Sequence, residues 1–371
     1  MVVSRSERSL LTEWWFTIDR SVLMLAGLLL VVGIVMLLSA SPPVAIRRDL
    51  PHFYFVERQL IFVMLGAVVM IITSLLTPKL VRRLALGLVL ASLVALVLVL
   101  LIGPEINGAS RWLRFAGFSI QPSEILKPAF IIITAWAFAE GRQRRDVPAY
   151  WLAIILFVVC SFLLILQPDF GQTLLLTVTW AGMFFMAGLA WFWVLVFIIA
   201  GLGLIMVAYN FLPHVASRIN HFLDPSGENY QIARALEAFR QAGWFGRGPG
   251  EGSLAEQYLP DAHNDFIFAA IADEFGVMAC LLLLLLYGGI VFLSLLRVRG
   301  LESAFIRYAV SGLMLLFALQ TMINMSVNLG LIPAKGMTLP LISYGGTSMI
   351  GSCSLLGMTL ALTKRLPMAG P

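Results

Sequence analysis

The chain has 371 residues, of which 60% are hydrophobic and only 12% are charged, and its mean hydropathy is +0.92. Soluble domains carry about a quarter charged residues, so this composition excludes a soluble protein with a single anchor and indicates a polytopic membrane protein. The net charge of +5 is ordinary for a membrane protein with basic cytoplasmic loops and does not indicate nucleic-acid binding. The three cysteines lie in apolar runs without a CxxC partner, so disulfide and metal roles are not expected.

The apolar runs predict an all-α polytopic membrane protein with about ten transmembrane helices, in a single domain over residues 1–371. A membrane-spanning helix needs roughly 20 apolar residues. The N-terminal tail, residues 1–18, is too long and too acidic for the start of a signal peptide, so the first apolar run is predicted to be retained. The predicted spans are residues 21–40, 54–77, 80–102, 123–140, 149–166, 171–188, 191–212, 266–296, 306–330 and 346–363.

Basic residues fix the predicted orientation, because short cytoplasmic loops of membrane proteins are enriched in lysine and arginine. Ten spans place both termini on one side, and basic clusters recur next to the span ends on that side. Both termini are therefore predicted to be cytoplasmic. The clusters are formed by Arg5 and Arg8, by Lys79, Arg82 and Arg83, by Arg142, Arg144 and Arg145, by Arg297, Arg299 and Arg307, and by Lys364 and Arg365.

The largest predicted extracytoplasmic loop, residues 213–265, connects the seventh and eighth spans. Within it, Ile232, Leu236, Phe239 and Gly243 recur at helical spacing, which predicts an amphipathic helix lying at the membrane interface. The glycine-rich run GRGPGEG follows. It lacks the GK[ST] of a phosphate-binding loop and is predicted to be a flexible turn.

The first candidate site lies in the motifs ASRWL and QPSEILK on the predicted outer side. Glu124 and Lys127 are three residues apart and share one helix face. Either this pair only neutralises charge at the start of a helix, or Lys127 and Arg111 bind an anionic group while Glu124 holds Lys127. Trp112 is either an aromatic residue of the membrane interface or a platform for a sugar ring.

Three further outer positions carry candidate residues. Asp169, in the run QPDFG, is either a turn residue and helix cap or part of the site. Lys335 is a lone cation in an apolar, re-entrant-looking loop, and such loops are tolerated where they line a protein cavity. Ser343 opens the run SYGGTS, whose small residues permit close helix packing or a ligand near backbone N–H groups.

The strongest candidate is Asp265, which stands directly before the apolar run that begins at Phe266. Ionisable side chains at the edge of the bilayer are expensive to desolvate and usually mark function. The alternative is a helix cap, for which aspartate is well suited. Asp261 and His263 precede it, either as supporting site residues or as a solvated loop end. The cations and carboxylates predicted to face outward suit a pyrophosphate, with or without a divalent metal.

These motifs, together with HNDFIFAAIADEFG and PAKGMTLPLISYGGTS, resemble the SEDS (RodA/FtsW) family of bacterial cell-wall proteins, named for shape, elongation, division and sporulation. The resemblance runs from about Asp19 to Arg365, and the stretch from Asn324 to Gly346 is more similar to division-type than to elongation-type members. It implies a ten-helix, inverting peptidoglycan glycosyltransferase that polymerises lipid II at the outer face of the cytoplasmic membrane and releases undecaprenyl pyrophosphate.

On this resemblance Asp265 matches the essential aspartate of the family and acts as the general base. Arg111, Lys127 and Lys335 would stabilise the departing pyrophosphate. The candidate substrate-binding set is completed by Trp112, Glu124, Asp169, His263 and Ser343. Mg²⁺ or Mn²⁺ is a candidate cofactor with Asp265 as its candidate ligand, and no organic cofactor is expected.

The resemblance also implies partners: a class B penicillin-binding transpeptidase, other proteins of the division machinery, and membrane lipids. It places the chain in the bacterial inner membrane at the division septum. Three alternatives remain open from the sequence. They are a lipid II flippase, an elongation-type polymerase, and a scaffold that recruits other wall enzymes.

Overall fold

The computed structural model describes residues 10–106, 109–115, 118–144, 148–188, 230–250, 252, 262–333 and 336–364, with isolated positions between 189 and 229. Most of the predicted span at residues 191–212 lies outside this description, as do Asp261 and Lys335. The described part is dominated by helices, in agreement with the all-α fold class that the sequence predicts.

Nine of the ten predicted spans coincide with apolar helices of the described residues, to within three residues at each end. Seven of these helices are long and apolar enough to cross a membrane, and α8 and α12 are shorter apolar helices. The count of ten stays a prediction. The helices are α1 (Leu10–Thr17), α2 (Arg20–Ala40), α3 (Pro42–Arg47), α4 (Tyr54–Leu75), α5 (Pro78–Ile102), α6 (Pro122–Gln143), α7 (Ala149–Leu166), α8 (Phe170–Met186), α9 (Tyr230–Ala242), α10 (Ile267–Val298), α11 (Ala304–Asn328) and α12 (Gly346–Leu362).

Helix α6 lies at the centre of the bundle. It packs against α5, α7, α8, α11 and α12, and nearly all of it is buried, whereas the other long apolar helices except α11 are mostly exposed on the outside of the bundle. A helix enclosed on all sides can carry charged side chains only if other protein groups satisfy them. The first turns of this helix carry Glu124 and Lys127, so the fold places that pair inside the protein.

Two short antiparallel hairpins connect α5 to α6. Strands β1 (Glu105–Ile106) and β2 (Ala109–Ser110) form the first, and β3 (Leu113–Phe115) and β4 (Phe118–Ile120) form the second. Arg111 and Trp112 make up the two-residue link between the hairpins. The hairpins therefore hold both side chains beside the start of α6.

Helix α10 is interrupted at Gly276, whose φ of 78° and ψ of −179° are not helical. Backbone groups on either side of this break are satisfied by the segment after α9. Val277 N donates to Gly243 O at 3.1 Å, and the N–H groups of Arg247 and Gly248 donate to Asp273 O and Glu274 O at 3.0 Å each. The predicted flexible turn is thus hydrogen-bonded over its first residues rather than loose.

The amphipathic segment of the large loop forms α9, and its apolar face packs on protein. Ala235 and Ala238 are fully buried, and the rings of Phe239 and Phe268 lie 5.6 Å apart. Helix α9 contacts α10 and α11, whereas the sequence predicted that it lies at the membrane interface. A small-residue face explains the difference, because alanines let two helices approach closely.

Replacing Gly276 with alanine is expected to destabilise the protein. A Cβ there would lie 2.4 Å from Trp244 O, and the positive φ disfavours any side chain. The backbone conformation alone costs about 1–3 kcal/mol. Thermal unfolding in detergent measures the loss. Gly288→Ala, also in α10 but with no atom within 4 Å, is the control and is expected to be neutral or slightly stabilising. Equal melting temperatures for the two variants would contradict the prediction.

Candidate functional site

A chain of buried polar side chains surrounds the start of α6. Lys127 Nζ donates to Glu124 Oε1 at 2.8 Å and to Gln320 Oε1 at 3.0 Å. Gln172 Nε2 donates to the same glutamate oxygen at 2.7 Å. Both charged side chains are at most 5% exposed. Opposite charge and two carboxamides therefore compensate the desolvation of the pair.

The chain continues through Asp169 to Arg111. Asp169 caps α8 by accepting from Gln172 N at 3.5 Å, and its Oδ2 accepts from Gln121 Nε2 at 3.3 Å. Arg111 Nη1 lies 3.8 Å from Asp169 Oδ1, and its Nη2 donates to Pro168 O. Burial raises the pKa of the Asp169 carboxyl, and the neighbouring Arg111 opposes that rise. Asp169 is thus a helix cap and also the anchor of Arg111.

The two cations in this group of polar side chains, Lys127 and Arg111, differ in their exposure to solvent. Lys127 is 3% exposed, and its direct contact with an anion stays a prediction. Its Nζ donates to Glu124 and Gln320. Arg111 retains 21% exposure of its side chain, and its buried Nε has no hydrogen-bond partner among the described residues. Arg111 is therefore the member of this group of polar side chains that a bound anion can reach, and the half-buried Trp112 is the next residue in sequence.

Asp265 belongs to a second polar group, at the start of α10. Its carbonyl oxygen accepts from Asn324 Nδ2 and from Asn328 Nδ2, each at 2.9 Å. The N-cap position of α10 is Phe266, so Asp265 lies one residue before the cap. The Asp265 side chain is partly exposed, and Gly336 is so near that a Cβ on it would lie 3.6 Å from Oδ2.

Ser343 and His263 tie this segment to the loop before α12. Ser343 Oγ donates to Asn264 O and accepts from Leu339 N, both at 2.7 Å, and Tyr344 N donates to His263 O at 3.0 Å. The His263 ring is buried, with its centroid 4.4 Å from that of Phe55 and 5.4 Å from that of Tyr344. The solvated-loop alternative for His263 is therefore wrong.

The buried His263 predicts a pH dependence of stability. Burial, and secondly the charge of Arg48, lower its pKa from 6.5 to about 4. Between pH 6.5 and about pH 4, the His263 ring is protonated in the unfolded chain but stays neutral in the native protein. The free energy of unfolding therefore falls as the pH drops through that window, by about 3 kcal/mol in total. His263→Phe is expected to flatten this part of the profile. Melting temperatures near about pH 7 and about pH 5 measure it. The exposed His52, replaced by Gln, is the control. An unchanged slope in His263→Phe would count against the assignment.

One face of α11 connects the two polar groups. Gln320, Asn324 and Asn328 are spaced four residues apart and are all buried. Gln320 Nε2 donates to Thr338 O at 3.2 Å, and Asn324 Nδ2 donates to Met337 O at 2.7 Å. Sequence reasoning missed the roles of Gln320 and Gln172. The signal was available in α11, as three carboxamides on one stripe of an apolar helix.

Within the described residues, no group of three or more His, Cys, Asp or Glu side chains is placed to hold a metal ion. Asp265 and Asp169 belong to different polar groups and share no described contact. The donor set therefore does not fit a resident metal site, and metal binding at Asp265 stays a prediction.

The family model for FtsW, RodA and SpoVE, described as a cell cycle protein, matches residues 19–366. This chain belongs to the FtsW/RodA/SpoVE family. The match covers all the polar residues of both groups, and it confirms the resemblance that the motifs indicate.

Individual family members are similar over nearly their whole length. The probable peptidoglycan glycosyltransferase FtsW of Caulobacter vibrioides is 40% identical over 371 residues, covering 98% of this chain and 94% of that protein. The protein of the same name from Trichlorobacter lovleyi is 37% identical, covering 91% of each. Relatives of the division type thus support the sub-assignment made from the stretch between Asn324 and Gly346.

Solved structures of the family share the fold. A chain from a peptidoglycan synthase complex that coordinates polymerization and crosslinking has a TM-score of 0.79 at 30% identity, covering 94% of this chain and 98% of that one. The rod shape determining protein RodA of Thermus thermophilus has a TM-score of 0.68 at 28% identity, covering 94% and 97%. The chain is therefore a multi-pass membrane protein with the SEDS architecture.

Proposed function

We propose that this chain is a division-type peptidoglycan glycosyltransferase that polymerises lipid II into glycan strands and releases undecaprenyl pyrophosphate. Family membership and the names of the relatives support the activity. The single observation that carries the chemistry is Asp265. It is a partly exposed carboxylate directly before a membrane helix, with its backbone fixed by two buried asparagines.

Asp265 acts as the general base. The 4-hydroxyl of the acceptor GlcNAc gives its proton to the carboxylate as the oxygen attacks C1 of the terminal MurNAc of the growing chain. The bond from C1 to the pyrophosphate breaks, and the α linkage is inverted to β. A base must lie within hydrogen-bond reach of the proton it takes, and a rigidly held backbone keeps it there.

The cations compensate the charge of the leaving pyrophosphate. Arg111 offers a partly exposed guanidinium, a group that suits phosphate oxygens. Lys335 is the second proposed contact. Lys127 acts indirectly, since it balances Glu124, and Glu124 in turn binds the Gln172 that neighbours Asp169. Trp112 is proposed to stack on a sugar ring.

A divalent cation is proposed to arrive with the pyrophosphate rather than to reside in the protein. The described residues offer Asp265 as one carboxylate ligand and no cluster of three. Mg²⁺ typically keeps several waters and binds one or two carboxylates together with substrate phosphates. No step of the proposed reaction passes through the metal.

The proposed partner is a single-pass class B penicillin-binding transpeptidase, within a larger assembly of division proteins. The relationship to a chain from a peptidoglycan synthase complex supports this proposal. Both termini are proposed to be cytoplasmic, because the basic clusters lie at one end of the predicted spans. The proposed location is the division septum in the bacterial inner membrane.

Polymerisation in detergent tests the function. The purified protein, alone and with its transpeptidase partner, is incubated with lipid II, and the products are separated by size. Glycan strands are expected. A flippase would form none, because it only moves lipid II across a bilayer that detergent has removed. Rescue of division but not of rod shape in depletion strains separates the division-type role from the elongation-type role.

A further inference from the structure

We propose that Asn324 is a positioning residue that fixes Asp265 against the loop before α12. The inference rests on the proposed function and names a residue on a neighbouring helix. Asn324 is 1% exposed and lies in the middle of the carboxamide stripe of α11. It touches both the segment that carries the general base and the loop that lies next to the carboxylate.

The two N–H bonds of one carboxamide serve two different chain segments. Asn324 Nδ2 donates to Asp265 O at 2.9 Å and to Met337 O at 2.7 Å. Both distances lie in the normal range for N–H···O bonds, and both acceptors are backbone oxygens that cannot rotate away. Asn324 therefore sets the distance between Asp265 and the start of the 336–343 loop.

Asn328 contacts different segments of the chain from Asn324. Asn328 also donates to Asp265 O, but its other contacts are Asn324 O at 2.8 Å and Ala269 N, which donates to Asn328 Oδ1 at 3.0 Å. It thus holds the first turn of α10. Loss of the Asn324 carboxamide leaves the bonds of Asn328 to Asp265 O and Ala269 N in place and removes the connection between Asp265 and Met337.

Losing this connection should lower the rate more than substrate affinity. A Cβ on Gly336 would lie 3.6 Å from Asp265 Oδ2, so the loop is close to the carboxylate. A small shift of the loop therefore changes the space around the base. Misplacement by about 1 Å can cost about 100-fold in rate. The polar side chains around Arg111 are not altered, so lipid II binding should persist.

The test compares Asn324→Leu and Asn324→Asp with the control Thr321→Val. Thr321 is equally buried on the same helix, but its hydroxyl bonds only to Phe317 O within α11. We expect kcat to fall about 10- to 100-fold in Asn324→Leu with KM nearly unchanged, and to stay at the wild-type level in Thr321→Val.

Asn324→Asp supplies a readout that a merely structural role would not move. Its carboxyl can donate a hydrogen bond only when protonated, so the ratio of its activity to wild type should rise as the pH falls. The same ratio for Asn324→Leu should be flat. Equal losses in Asn324→Leu and Thr321→Val, or a flat ratio for Asn324→Asp, overturn the proposal. A wild-type protein that forms no glycan would instead refute the proposed function.

A separate observation, at the other end of α10 and α11, leads us to infer a binding site for an anionic phospholipid. A groove of about 310 Å³ lies between these helices, lined by Phe292, Leu295, Leu296, Arg299, Arg307 and Ser311. Its apolar walls are exposed to the lipid, with Phe292 62% accessible. Apolar walls and two arginines in one groove match the chemistry of an acyl chain with a phosphate headgroup.

The arginines of this groove differ from their neighbour. Arg297 forms an ion pair with Asp19, whereas Arg307 donates to Leu301 O at 2.8 Å and has no carboxylate partner among the described residues. Arg299 is exposed. Basic pockets between membrane helices bind phosphodiester headgroups. The expected ligand is therefore phosphatidylglycerol or cardiolipin.

Native mass spectrometry and melting temperatures test the site in mixed micelles containing phosphatidylglycerol, cardiolipin or phosphatidylcholine. Retained anionic lipid and a raised melting temperature are expected for wild type, and both should be lost in the double variant Arg299→Gln/Arg307→Gln. Arg83→Gln is the control, since Arg83 is exposed beside Arg82, whose guanidinium lies 5.3 Å from the ring of Phe305 at the same end. Stronger cardiolipin retention identifies two phosphates as the preferred headgroup. Equal retention of phosphatidylcholine, or unchanged lipid binding in the double variant, overturns the inference.

Discussion

Asp265→Asn is expected to abolish most lipid II polymerisation, with a loss of about 10²- to 10⁴-fold, because removing a general base typically has that effect. Asparagine keeps the size and the backbone contacts with Asn324 and Asn328, so the fold should be unchanged. Initial rates of glycan synthesis measure the loss, and a melting curve of the same preparation verifies folding.

The matched control is Glu57→Gln, an exposed carboxylate in the first turn of α4. Its activity should equal that of wild type. Asp265→Ala extends the comparison, since Asp265 lies before the N-cap position of α10. Full activity in Asp265→Asn would refute the assignment of the base.

Lys127→Met is expected to cause the largest loss of stability. It leaves the Glu124 carboxylate, which is 5% exposed, buried without its cation. Breaking a buried ion pair on one side typically costs about 3–5 kcal/mol, because the remaining charge has lost its compensation. The melting temperature in detergent measures this loss directly.

The double variant Glu124→Gln/Lys127→Met should recover most of that stability, since a neutral carboxamide can still accept from Gln172 Nε2. Lys364→Met serves as the control, because Lys364 Nζ bonds only to the carbonyls of Leu75 and Leu76 among the described residues. Equal melting temperatures for Lys127→Met and Lys364→Met would contradict the prediction that the ion pair between Glu124 and Lys127 stabilises the fold.

The sequence was sufficient for those parts of the fold that the bilayer dictates. Each described span is a long apolar run, and length alone distinguishes it from a loop. The motifs around Arg111, Glu124, Asp169 and Asp265 were equally visible, because charged residues stand out in an apolar chain. Their identity as candidates needed no knowledge of the packing.

The contacts of these residues could not be read in the same way. The burial of Lys127 depends on Gln320, which is 193 residues away in sequence. The placement of His263 between Phe55 and Tyr344 depends on three separate segments. The hairpin strands are only two or three residues long, too short for a period to appear. Local patterns report local structure, and these features arise from long-range packing.

The break at Gly276 divides α10 into two parts. The part from Ile267 to Phe275 is bonded through Asp273 O and Glu274 O to the segment that follows α9. On the other side of the break, Val277 N and Met278 N donate to Gly243 O and Trp244 O of the same segment, so a displacement of α9 is transmitted to both parts of the helix, including the residues just after Asp265. A partner that binds the predicted extracytoplasmic loop can therefore change the position of the proposed general base without touching the substrate.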